Sequence, residues 1–71
     1  MGEPKEVAIT DGTIRLGQFL KLADLVESGS DARQQIATGT VRVNGEAELR
    51  RGRQLRPGDV VSMGEESVRV A

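Results

Sequence analysis

Six arginines fall between positions 33 and 56 (Arg33, Arg42, Arg50, Arg51, Arg53 and Arg56), with no lysine among them. A guanidinium offers its N–H donors as a rigid planar fork that matches two oxygens of a phosphate, whereas an ammonium acts as a point charge. The chemistry open to this segment is therefore the capture of phosphate oxyanions. Only Glu46 and Glu48 oppose the six arginines, so the segment stands at +4. The remainder carries four basic and nine acidic residues, −5, and the two parts sum to the net −1 of the chain. A near-neutral average thus hides a basic stretch, and the local field decides where a polyanion lands.

The same composition excludes other chemistries. There is no cysteine and no histidine, which removes disulfides, thiolate and zinc sites, a Cys nucleophile and the usual general base near neutral pH. Ser28, Ser30, Ser62 and Ser67 lack an imidazole partner and a G-x-S-x-G elbow. No G-x-x-x-x-G-K-[ST] phosphate loop occurs. The 71 residues allow one domain with one small core, and leave little material for a deep substrate pocket. No enzyme, metal or other cofactor is expected. Phe19 is the only aromatic residue, so stacking of single-stranded bases on several rings is not the expected mode of recognition. No apolar run approaches the ~20 residues of a membrane span. Met1-Gly2-Glu3-Pro4-Lys5 also lacks the apolar stretch of a signal peptide. A cytoplasmic protein is the expectation.

The arginines need elements to hold them. Residues 1–5 read as a disordered tail and residues 6–71 as one domain. Glu6 to Thr10 alternates as a short strand, closed by the turn signal Asp11-Gly12. Leu16 to Val26 predicts a helix, with Leu16, Phe19, Leu20 and Ala23 on one face, widened by Leu22 and Val26. Lys21 and Gln18 lie off that face, and Glu27-Ser28-Gly29 ends the helix. A second helix is expected to open at Ser30 as N-cap, with Asp31 in the first turn and Ala32 and Ile36 inward. Arg33 and Gln34 then point toward solvent or a ligand, and Gly39 stops the helix. Val41-Arg42-Val43 followed by Asn44-Gly45 predicts a hairpin with Arg42 outward. Arg50-Arg51-Gly52-Arg53 is a basic loop or irregular strand, and Pro57-Gly58 fits a type II turn. Val60 to Met63 and Ser67 to Val70 close the domain as a hairpin across Gly64-Glu65-Glu66. The order of strand, two helices and three to five short strands is that of an α+β domain.

Taken in sequence order, several of these pieces resemble the RNA-binding domain family named after ribosomal small-subunit protein S-four, which carries the alpha-L motif. They are Arg15-Leu16-Gly17, the apolar helix from Gln18 to Ala23, Ser28-Gly29-Ser30-Asp31-Ala32-Arg33, Gly39-Thr40-Val41-Arg42-Val43-Asn44-Gly45 and Pro57-Gly58-Asp59-Val60-Val61. The similarity covers about two-thirds of the chain and is closest to the small stand-alone bacterial members. Gly17 stands where that family often has Asp, and Gly29 where many members have a basic residue. The resemblance implies two packed, helix-turn-helix-like helices against a small, mostly antiparallel sheet. It implies binding to structured RNA, ribosomal or transfer, and an association with the ribosome. By position it implies contacts from Arg15, Lys21, Ser30, Arg33, Gln34, Arg42 and Asn44. Charge and loop placement add Arg50, Arg51 and Arg53.

Duplex RNA hides its bases in a deep, narrow groove, so recognition of folded RNA falls to phosphates, 2′-hydroxyls and shape. Arg, Ser, Gln and Asn are suitable donors for that task. Two other readings stay open: a protein-binding, β-grasp-like or sulfur-carrier-like module, and a structural partner domain acting through its sheet edge. The carrier would need a flexible Gly-Gly carboxyl end, where this chain has Val68-Arg69-Val70-Ala71. A monomer is expected, with no membrane partner.

Overall fold

The computed structural model describes residues 4–71. Its elements run β1 (Lys5–Val7), β2 (Ile14–Arg15), α1 (Leu16–Leu22), α2 (Gly29–Ala37), β3 (Val41–Val43), β4 (Glu46–Ala47), β5 (Gln54–Leu55), β6 (Val60–Met63) and β7 (Glu66–Val70). In α1, Leu16, Phe19 and Leu20 are fully buried at helical spacing. The helix ends at Leu22, four residues short of the expected Val26. Asp24 adopts a left-handed conformation, φ 61°. The N–H of Leu25 then donates to the Leu20 carbonyl at 2.9 Å and that of Asp24 to Lys21 at 3.1 Å. These two bonds form a Schellman closure built on aspartate instead of glycine. Ala23 and Val26 remain buried beyond the helix, so the apolar pattern continues across a break in the backbone. Leu22, expected on the buried face, is 52% exposed.

Helix α2 is capped by Ser28, not Ser30. The Ser28 hydroxyl accepts from the Asp31 N–H at 3.1 Å, and the Asp31 carboxylate accepts from the Glu27 N–H at 3.3 Å. This reciprocal bonding three and four residues apart fixes the start two residues early, and Ser30 becomes a first-turn residue. At the other end Gly39, φ 79°, makes the left-handed exit expected of it.

The main sheet has the order β1-β7-β6-β3-β4, antiparallel except for the parallel pair β1–β7. Asn44 and Gly45 both have positive φ, 53° and 87°, as a type I′ hairpin turn requires. Gly58, φ 100°, follows Pro57 in a type II turn closed by the Asp59 N–H on the Arg56 carbonyl at 3.0 Å. Met63 pairs with Glu66, so the last hairpin turns on Gly64-Glu65 alone and Glu66 is already strand. The first strand lies one residue earlier than expected and stops at Val7. Lys5 belongs to it, while positions 1–3 of the expected tail fall outside the described residues.

One face of the sheet contributes Val41, Val43, Val61, Val68 and Val70 to a core shared with Leu16, Phe19, Leu20, Ala32 and Ile36 of the two helices. The short ladder β2–β5 pairs Ile14 with Leu55 and brings the arginine loop against the start of α1. There the N–H of Leu16 donates to the Arg53 carbonyl at 2.8 Å, and that of Gly17 to the Arg51 carbonyl at 3.1 Å. These carbonyls satisfy first-turn donors that no side chain caps. Among the described residues no helix is long and apolar enough to cross a membrane.

Candidate nucleic-acid interface

A cleft of about 620 Å³ opens where the start of α1, the first turns of α2 and the arginine loop meet. Four cationic side chains line it: Arg15 and Lys21 from the α1 segment, Arg33 from α2 and Arg51 from the loop. No carboxylate of the described residues lines it. Among the described residues none of the four has an ion-pair partner. Lys21 and Arg33 reach the cleft because Phe19, Leu20, Ala32 and Ile36 turn the opposite faces of their helices into the core. Ser30 and Gly29 line it from the first turn of α2, the positive end of that helix. Asp31, one residue further, is turned back onto the Glu27 N–H.

The other expected contacts lie elsewhere. Arg50 and Arg53 share one carboxylate, Glu48, which is 7% exposed. Arg50 binds it through Nε at 3.0 Å and Nη2 at 3.2 Å, and Arg53 through Nη1 at 2.8 Å. The side-chain bonds from these two arginines, first those of Arg50 and then that of Arg53, hold the Glu48 pKa down at about 2 against an ordinary 4.5. The trio carries a net charge of only +1 and serves to brace the loop. Asn44 is also engaged within the fold: its amide donates to Asp59 Oδ1 at 3.1 Å and its carbonyl accepts from the Val60 N–H at 2.9 Å. Arg42 sits on the solvent face of the sheet, opposite the face that meets the helices, and its Nη1 donates to the Gly45 carbonyl at 3.3 Å. Gln34 is exposed on α2 but does not line the cleft. The cleft thus joins Arg33 and Arg51 to Arg15 and Lys21, while Arg42, Arg50, Arg53 and Arg56 do not line it.

Residues 7–71 match the family model described as S4 domain. The chain belongs to the S4 domain family. It is 47% identical over 57 residues to a Bacillus subtilis (strain 168) protein named Probable ribosome maturation protein RlbA, with 80% of each chain covered. It is 43% identical over 54 residues to small ribosomal subunit protein uS4m of Schizosaccharomyces pombe, covering 76% of this chain and 16% of that one. Among solved structures, the 30S ribosomal protein S4e of Thermoplasma acidophilum has the same fold, with a TM-score of 0.64 at 23% identity over 84% of this chain and 32% of that one. The chain thus spans most of the Bacillus relative and a small part of the two ribosomal proteins.

Within this S4 domain Glu48 is an organising group that a count of charges passes over. Its spacing to Arg50 and Arg53 was the available signal. Gly17 and Gln18 also line the cleft; the sequence marks Gly17 as a departure from the family pattern and Gln18 as part of the helix, neither as a cleft residue.

Proposed function

We propose that this S4 domain binds structured RNA, of ribosomal type, in the α1–α2 cleft, as a monomer and without cofactor or catalysis. One observation carries the reading: four cations from three separate chain segments line one opening that no carboxylate of the described residues lines. Phosphates are the ligands such a lining favours, with the Ser30 hydroxyl available for a further phosphate or 2′-hydroxyl bond. The ribosomal names of the relatives support the choice of ribosomal RNA or an assembling ribosome as the target.

Anisotropy of a labelled hairpin RNA across a salt series tests the proposal. With about four phosphates engaged, the logarithm of affinity should fall with log salt at a slope of about −3 to −4. Arg33→Ala should weaken binding about threefold to tenfold and reduce the slope by about 1. Absence of binding at low salt, or an Arg33→Ala variant that binds like the wild type, would overturn it.

A further inference from the structure

Three arginines stand on the loop that abuts α1, and they have different fates. Arg50 and Arg53 are drawn onto Glu48. Arg51 lines the cleft and, among the described residues, forms no side-chain hydrogen bond or ion pair. What lies beneath Arg51 is Gly17. The Gly17 N–H donates to the Arg51 carbonyl at 3.1 Å. A Cβ placed on Gly17 would stand 2.9 Å from Arg51 Cγ and 3.5 Å from Cδ. The first distance is shorter than carbon atoms tolerate, and it involves the stem of the side chain, not its flexible tip. The aliphatic part of Arg51 therefore lies across the bare backbone of the first turn of α1. The backbone of Gly17 is buried, so the stem cannot settle deeper if a methyl group is added.

We propose that Gly17 is a positioning residue for RNA binding: by lacking a side chain it seats Arg51 in the cleft as a phosphate-binding group. The proposal rests on the reading of the cleft as the RNA site. The phosphate is held by the guanidinium of Arg51, and Gly17 acts only through it. Backbone bonds fix the loop at residues 51 and 53, so a methyl group at Gly17 is accommodated by rotating the Arg51 side chain away and not by moving the loop.

A double-mutant cycle on Gly17→Ala and Arg51→Ala tests this, reading affinity for a hairpin RNA, its salt slope and the urea midpoint of the free protein. Arg51→Ala should lower affinity about threefold to tenfold and reduce the slope by about 1. Gly17→Ala should reproduce most of both losses in the wild-type background and add nothing in the Arg51→Ala background. Equal losses from Gly17→Ala in the two backgrounds, or no loss in either, would overturn the proposal. If Gly17→Ala alone prevents folding, the double variant should fold, because the obstructing stem is gone; failure of both to fold refutes the steric relation. If the wild-type protein binds no RNA, the functional reading fails instead. The urea midpoints then still decide whether the Gly17→Ala cost depends on Arg51.

Discussion

The Glu48 carboxylate accepts hydrogen bonds from the side chains of both Arg50 and Arg53. Two of the three loop guanidiniums converge on one nearly buried carboxylate, which neutralises part of what a count treats as binding charge. The Glu48 pKa is lower in the folded protein, about 2, than its ordinary 4.5. Its contribution to stability is therefore fully present above about pH 5 and is lost as the pH falls toward 2. Asp59, held below the usual carboxylate range first by the Arg56 N–H and also by the Asn44 amide, acts in the same sense. Glu48→Gln should cost about 1 kcal/mol at neutral pH, kept small by the solvation of Arg50. It should also flatten the loss of stability between pH 5 and pH 3. Urea denaturation of both proteins at the two pH values measures this, and parallel pH profiles would remove Glu48 from the acid response.

At the scale of elements, the turns were the most legible part of the chain. Asn44-Gly45, Pro57-Gly58 and Gly39 each impose a positive φ that few residues adopt, and each occupies its expected place. The valines of β3 likewise alternate as their pattern requires. The helix ends were less legible. Leu22, Ala23, Leu25 and Val26 continue an apolar pattern that suits either a longer helix or a turn packed on the core, and tertiary contact decides. Asp24 carries the cost of that turn. A non-glycine residue in the left-handed region loses about 1 kcal/mol, so Asp24→Gly should raise stability by about 0.5–1 kcal/mol in thermal or urea unfolding. An unchanged or lower midpoint would show that the Asp24 side chain supplies support of its own. Asn44→Ala should lower stability by about 1–2 kcal/mol, since it strands the Val60 N–H and strains the turn. It should leave RNA affinity within about twofold, because Asn44 acts within the fold; a larger loss in anisotropy would return Asn44 to the contact surface.

The chain is acidic on average, with a pI of about 5.3, and its described residues form a cationic opening. Its long-range pairings, β1 beside β7 and β2 beside β5, join residues about 60 and 40 positions apart, and no local pattern names such partners. Those pairings decide the site. The β2–β5 ladder carries Arg51 to α1, while β3 carries Arg42 to the opposite side of the sheet. The family was legible from the order of its motifs; which arginines share a surface was not, because that depends on the ladder and on Glu48. The most direct test of the cationic cleft is an amide NMR titration of the folded protein with a hairpin RNA at low salt. The largest shifts should fall on Arg15, Lys21, Ser30, Arg33 and Arg51, with Arg42 and the solvent face of β6 and β7 little changed. Shifts centred on Arg42 and that sheet face, or shifts spread evenly over the chain, would contradict it.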